Sequence, residues 1–347
     1  MGMVDERSPD IVFVNLNSTA PHECVRALSA LKECKYSGAV QLFGSCNPKL
    51  LESLNIIGAD CSLRMLPPLT KPIEFTTIHK IVLEQKLFAP VALSDEISLD
   101  DALAKNLLSF LYQPKLDLKT RTMVGVELVA RVTHPERGLL TPDRFLKGAN
   151  DDALLKLSRA ALVDAIKASA HFLALGVNLR PAINISADNL LRLPVTELVQ
   201  ACRPEHKDWP GLILEIPERQ MHHKIDLLKV HAPRLRQSGV SLALDNCGLA
   251  ALRLDIMNQI AVAEIKIDLT LIEGCASDPG AAKICKSVIQ IAHNFGAEAV
   301  AIGISTEADL RKLLDLGCDT GQGFLLGKPV TMQQMDALIA AFRGEAV

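Results

Sequence analysis

The sequence predicts an α/β chain in which a (β/α)₈ barrel follows a smaller βα domain. Residues 9 to 85 alternate short apolar runs with amphipathic ones in the order βαβαβα. From residue 108 a longer alternation begins, with eight strand-like segments spread over roughly 220 residues. Of 347 residues 49% are hydrophobic and only 4% aromatic, so both cores must be aliphatic.

In the first domain IVFVNL (11–16) reads as a strand and ECVRALSALKEC (23–34) as a helix. AVQLF (39–43), PKLLESLNIIGA (48–59), a weak strand at 62–66 and a helix from Phe75 to Lys86 follow. Such an order predicts a parallel sheet with covering helices. Pro67-Pro68 and Lys71-Pro72 punctuate it. Residues 87–105 carry Pro, Ser and acidic side chains and read as a linker running into a first helix. The expected organisation is a first domain at 1–88, a linker at 89–106 and the barrel at 107–347. Barrel strands are expected at 109–114, 123–131, 180–186, 211–216, 240–245, 262–267, 298–303 and about 319–325. Helices fall between them, as at Asn150 to Leu175 and His222 to Ser238.

A formal net charge of −3 excludes a protein that coats a nucleic-acid polymer or binds membranes through a polybasic face. Any nucleotide must be held by a local site. Nine cysteines, with no CxxC pair, and a polar, acidic opening (MGMVDERSPD) predict reduced, mostly buried thiols and a cytoplasmic location. No apolar run reaches the ~20 residues of a membrane span.

The chemistry collects at strand ends. VGVELVAR presents Glu127, AINIS Asn184, LILEIPE Glu215 and then Glu218, SLALDN Asp245 and Asn246, and EIKID Lys266 and Asp268. In a (β/α)₈ barrel the C-terminal ends of the strands form the active mouth. Carboxylates and an amide oxygen converging there repel one another unless a cation neutralises them, and such hard oxygen donors suit Mg²⁺ or Mn²⁺. Any one of these residues alone is better explained as a solvated loop residue, a cap or turn chemistry. The order and strand context of the whole set carry the argument.

Across roughly residues 108 to 340 the chain resembles the EAL family of cyclic-di-GMP phosphodiesterases. YQPKLDL (112–118), ELVAR (127–131), HPERGLLTPDRF (134–145), NIS (184–186), LEIPE (214–218), LALDN (242–246), IKID (265–268) and GCDTGQGFLLGKP (317–329) stand in the family's order. The resemblance implies a TIM-like barrel in which two metal ions grip the scissile phosphate and activate a water, opening the cyclic dinucleotide to its linear form. It implies that Glu127, Asn184, Glu215 and Asp245 hold the first metal, with Asp245 bridging to the second. Lys266 would orient water or the phosphate, with Asp268 supporting it, Glu218 would anchor the following loop, and Gln113, Arg131 and Gln322 would lie along the ligand.

The second metal site departs from the family pattern. Where the family has Asp-Asp this chain has Asp245-Asn246, and where it has Glu-Gly-Val-Glu this chain has IGIS, placing Ile302 and Ser305 at the acidic positions. An amide is a weak ligand for a hard dication and Ile302 is none. Losing that metal would cost a thousandfold or more in rate, as an order of magnitude. The loop Cys247-Gly248-Leu249-Ala250 also departs from the family's Phe-Gly-Thr-Gly pattern, and no His is placed to activate Cys247 as a nucleophile. The first domain resembles a flavodoxin-like response-regulator receiver that lacks its first two strands. Asn15 stands at the phosphoacceptor position, Gly44 at the usual Thr or Ser, and Lys71 in the Lys-Pro after the last strand. Without those two strands one edge of the first strand is exposed, so either the start is truncated or a partner covers that edge.

Three readings follow. The chain is a cyclic-di-GMP sensor or protein-interaction module with little hydrolysis, one metal site and a protein partner on the barrel or the receiver-like domain. It is a working phosphodiesterase with a remodelled second site. Or it is a scaffold that binds neither nucleotide nor metal. Barrel-mediated homodimers are a further expectation from the family.

Overall fold

The computed structural model describes residues 11–16, 21–44, 47–71, 97–248 and 254–343, with Pro9 and Ile81 besides. The chain divides into two compact units, Met1–Asp95 and Glu96–Val347.

In the first unit β1 (Ile11–Leu16), β2 (Ala39–Gly44), β3 (Arg64–Met65) and β4 (Leu69–Thr70) form one parallel sheet. β2 is central: β1 pairs along its whole length on one side, and β3 and β4 share the other. Leu42 of β2 and Leu16 of β1 are buried with Leu28, Leu51 and Leu54 from the helices Pro21–Glu33 and Pro48–Asp60. Asn47 caps the second helix, its Oδ1 accepting the Lys49 N–H at 3.0 Å. Gly44 pairs with Leu16 so closely that a Cβ would lie 2.3 Å from the Leu16 carbonyl oxygen. The four-residue spacing between β3 and β4 and their two-residue lengths explain why β4 carried no alternation to read. The helix expected from Phe75 to Lys86 lies outside the described residues apart from Ile81.

The second unit contains the barrel. Its strands are β5 (Leu108–Asp117), β6 (Met123–His134), β7 (Gly138–Leu140), β8 (Arg180–Asn184), β9 (Leu212–Pro217), β10 (Val240–Cys247), β11 (Glu264–Ile267), β12 (Glu298–Ala301) and β13 (Thr320–Gly321). The order β5-β13-β12-β11-β10-β9-β8-β6 closes through β5–β6, while β7 hangs on β6 outside the ring. The closed eight-stranded barrel is the expected fold, with one difference. β5 runs antiparallel to both neighbours. Residues 118–122 are the whole connection from β5 to β6, which suffices for a hairpin and is far too short for the dozen or more residues of a parallel crossover. The other seven strands of the ring are parallel to one another.

Alternation along the strands sends one set of side chains outward. Leu212, Leu214 and Ile216 of β9, Leu242 and Leu244 of β10, and Ile265 and Ile267 of β11 pack under the helices in one large core. The longest helix, Asp151–Ala174, starts at the Asn150 cap and buries Leu162, Ala165, Ile166 and Phe172. Within the segment expected as linker, Ser98 caps a helix Leu99–Ala104 whose Leu99 and Ala102 pack with Val132 and Phe145 of the barrel unit. Among the described residues no helix is long and apolar enough to cross a membrane.

Candidate active site

The inward set of side chains meets at the C-terminal mouth. Glu215 on β9, Asp245 on β10 and Lys266 on β11 sit at inward positions within the last three residues of their strands, and Glu127, midway along the longer β6 and level with Ala182 of β8, faces the same point. The Lys266 ammonium lies 2.6 Å from Glu215 Oε2, 3.0 Å from Glu127 Oε2 and 3.7 Å from Asp245 Oδ1. Asn184 Nδ2 donates to Glu127 Oε1 at 2.7 Å, and Gln322 Nε2 donates to Glu127 Oε2 at 3.2 Å. Six of the residues singled out from the sequence thus form one group, five joined by hydrogen bonds and Asp245 by its ion pair with Lys266.

Its electrostatics follow from crowding. Burial alone would discharge Lys266, but Glu127, Glu215 and Asp245 outweigh it and hold the ammonium charged well above its ordinary range. Burial would likewise raise Glu127, and the charge and hydrogen bond of Lys266 instead keep it below the usual carboxylate range. One ammonium cannot serve three carboxylates. Glu215, fully enclosed, is pushed upward first by burial and then by the charge of Glu127. Its Oε1 is buried and has no hydrogen-bond partner.

A cavity of ≈ 420 Å³ opens over this group. Besides Glu127, Asp245 and Lys266 of that group, Gln113, Asn246, Ile302, Ser305 and Gln322 line it among the expected residues. Gln113 also donates to the Gly327 carbonyl at 3.2 Å. Asn246 has a left-handed backbone, φ +57, at an irregularity between Leu244 and Cys247 in the β10–β11 pairing. Asn tolerates that conformation better than most residues, and the bulge re-aims its side chain toward Asp245, whose Oδ2 accepts from Asn246 Nδ2 at 2.8 Å. Ile302 presents only hydrocarbon to the same cavity.

The remaining expected residues stand apart from it. Arg131 donates to its neighbour's Ala130 carbonyl at 2.8 Å and does not line the cavity. The Asp268 Oδ1 accepts from Thr270 N–H at 2.8 Å and Thr270 Oγ1 at 2.6 Å, capping the short helix Leu269–Ile272 rather than reaching Lys266. Glu218 is buried at the start of the helix Glu218–His223. Burial, together with Glu218, Asp245 and Asp268, pushes the Cys247 thiol far up, so it is no nucleophile. Leu249 and Ala250 lie outside the described residues. On the first unit, Asn15 is exposed on β1 and the Lys71 ammonium sits 5.1 Å from the Phe43 ring centroid.

Sequence reasoning passed over two features. Phe324 is 68% exposed on the cavity rim, with the Lys328 ammonium 5.7 Å from its ring centroid. At the opposite end of the lumen Lys115 forms a buried ion pair with Glu264, and Arg180 donates to Ser241 Oγ at 2.7 Å. The signal was present in β11, where Glu264 and Lys266 alternate with Ile265 and Ile267: a polar inward face inside a fully buried strand.

Among the described residues no group of three or more His, Cys, Asp or Glu stands arranged to hold a metal, because the Lys266 ammonium occupies the centre of the carboxylates. Their chemistry nevertheless fits a single hard dication. Three carboxylates face one ammonium, and Glu215 keeps a buried oxygen without a partner. The neighbouring position does not fit a second: Asn246 turns an N–H toward Asp245, and Ile302 has no donor atom.

A family model described as the EAL domain matches residues 97–329. The bifunctional diguanylate cyclase/cyclic di-GMP phosphodiesterase MucR of Pseudomonas aeruginosa is 31% identical over 245 residues, 70% of this chain and 36% of that protein. The cyclic di-GMP phosphodiesterase RocR of the same organism is 27% identical over 224 residues, 64% of this chain and 57% of that protein. The chain therefore spans only part of the curated relatives it matches. The solved MucR phosphodiesterase in complex with c-di-GMP superposes with a TM-score of 0.62 at 30% identity, covering 68% of this chain and 97% of that one.

Proposed function

Because the chain belongs to the EAL-domain family, whose phosphodiesterases depend on divalent metal in general, we propose that it binds cyclic-di-GMP at the barrel mouth as a sensor and hydrolyses it little or not at all. The observation that carries this reading is the contrast within one cavity. Glu127, Asn184, Glu215 and Asp245 gather about Lys266 at the barrel mouth and support a site for one cation, while Asn246 and Ile302 stand beside Asp245 on the cavity wall.

Glu127, Asn184, Glu215 and Asp245 would hold one Mg²⁺ or Mn²⁺, which when bound supplies a positive charge for a phosphate oxygen. Lys266 would then turn its ammonium from the carboxylates toward the phosphate. Gln113 and Gln322 line the cavity with amide groups that can donate to the ligand's oxygens. The exposed Phe324 ring offers a face on which a base can stack. Beside Asp245, Asn246 and Ile302 add no carboxylate that would help hold a second metal, the group that would lower the pKa of an attacking water, so on this reading that step is the one that fails.

The first unit serves, on this reading, as a receiver-like module that takes no phosphate. The parallel β1–β2–β3 order supports this, as does Asn15, an amide that cannot form an acyl phosphate. We place the protein in the cytoplasm, in keeping with eight described cysteines that are all free thiols.

The test is calorimetric titration with cyclic-di-GMP in Mn²⁺ or Ca²⁺, followed by chromatography of the same sample. Binding without linear product is the expected result. Turnover in Mn²⁺ would overturn the sensor reading in favour of a working phosphodiesterase with a remodelled second site. Absence of binding would leave a scaffold.

A further inference from the structure

We infer that the outer face of β5 is a docking groove for an acidic amphipathic helix of a partner protein. This goes beyond the proposed sensor role, at a surface separate from the nucleotide-binding mouth.

The argument begins with the antiparallel strand. In a (β/α)₈ barrel every parallel crossover lays a helix over the sheet. β5 returns to β6 through residues 118–122 alone, so no helix of that connection covers its outer face. What remains is a groove of ≈ 590 Å³ between the helix Asp151–Ala174 on one side and the start of the helix Met332–Phe342 on the other. Its floor is apolar: Leu108, Phe110 and Tyr112 of β5, with Val163 and Met332 on the walls. Leu108 and Phe110 are half-buried rather than sealed.

The charges select the occupant. Lys156, Arg159 and Lys167 line the groove and are exposed. They share one stripe of their helix with Ala160 and Val163, at spacings of three, four and seven or more residues. No ion pair engages any of the three among the described residues. The single acid of the lining is Asp164, whose carboxylate accepts the Tyr112 hydroxyl at 2.6 Å. The groove is thus positive along a rim about 16 Å long, taking the helical rise over the eleven residues from Lys156 to Lys167. An occupant that fills it must offer apolar side chains to β5 and carboxylates to that rim. A helix of about three turns with acids beside its apolar stripe meets both demands.

The experiment is selection of a phage-displayed library of random 16-residue peptides on the full chain, with counter-selection on the K156E/R159E/K167E variant. The three side chains are exposed and lie outside the nucleotide site, so the variant keeps cyclic-di-GMP binding if that proposal holds. Surviving peptides are expected to carry Asp or Glu and Leu, Ile, Phe or Met at helical spacing. They should lose at least tenfold in affinity for the variant and show helical circular dichroism when bound. The inference is overturned if no peptide survives counter-selection, or if the survivors are neutral or basic. It is also overturned if GTP or a scrambled peptide of equal charge competes equally well, or if sedimentation shows that a second copy of this chain fills the groove and the triple variant releases it. Loss of cyclic-di-GMP binding by wild-type protein would fail the sensor reading alone.

Discussion

The ammonium of Lys266 on β11 lies 2.6 Å from Oε2 of Glu215 on β9, across the intervening β10, both side chains almost wholly enclosed. It is a built-in counter-ion at the point where a metal's donors converge. Replacing it should expose that role. Lys266→Met leaves three carboxylates facing one another, and removing one partner of a buried ionic group costs about 3–5 kcal/mol. The melting temperature should fall by roughly 6 °C or more. Mn²⁺ should restore much of the loss in the variant and stabilise wild type less. Equal shifts in both proteins, followed by calorimetry, would show that the carboxylates do not take up the metal.

Asn246 and Ile302 stand together on the cavity wall, and on the proposed sensor reading they are what keeps a second cation out. Asn246→Asp combined with Ile302→Glu, with or without Ser305→Glu, is expected to raise linear-product formation in Mn²⁺ at least tenfold over wild type. Chromatography of the nucleotide reads this directly. No gain in any combination would place the limit in the segment after Cys247 instead.

Gly303 follows Ile302 with φ +75, and a Cβ there would lie 2.0 Å from Leu269 Cδ1 on the cavity wall. Gly303→Ala therefore combines left-handed strain with a displaced leucine, and about 1–3 kcal/mol of stability should be lost. Urea denaturation measures it. A variant as stable as wild type would show that the wall yields freely.

The thiols divide by burial. Burial pushes Cys285 up to about 11 and, with Cys285 and Asp309 nearby, Cys275 up to about 12. At neutral pH both stay protonated and inert. Cys34 and Cys202 are exposed. Iodoacetamide labelling at pH 7.5, mapped by peptide mass spectrometry, should modify Cys34 and Cys202 in the native protein, and Cys247, Cys275, Cys285 and Cys318 only after unfolding. Rapid native labelling of Cys285 would contradict the packing around the helix Pro279–Asn294.

Much of this was legible in the sequence because strands announce themselves by a period of two. LILEIP places Glu215 between outward Leu214 and Ile216, so its inward direction could be read from the letters alone. Direction along the barrel axis could not: the antiparallel run of β5 depends on a five-residue connection whose turn, with Asp117 Oδ1 accepting from Thr120 N–H, is a local event. Contacts across 139 residues, such as Lys266 to Glu127, are set by barrel closure and leave no local trace. Asp268 illustrates the opposite failure. Its place beside Lys266 in sequence suggested a shared role, whereas the chain turns after β11 and the carboxylate is consumed as a helix cap.

The separation of the two faces of each strand bears on how such a protein can drift. Cohesion of the barrel comes from the aliphatic shell between strands and helices, where Leu214, Leu244 and Ile265 lie. The lumen holds charges at both ends and, between them, the small cluster of Ala182, Ile213 and Ala243. Exchanging an acid for Asn246 or Ile302 in that lumen leaves the shell untouched and removes like-charge crowding besides. Selection acting on foldedness is therefore nearly blind to an exchange of lumen charges, and a descendant can change its chemistry while its scaffold stays intact and open to a new task.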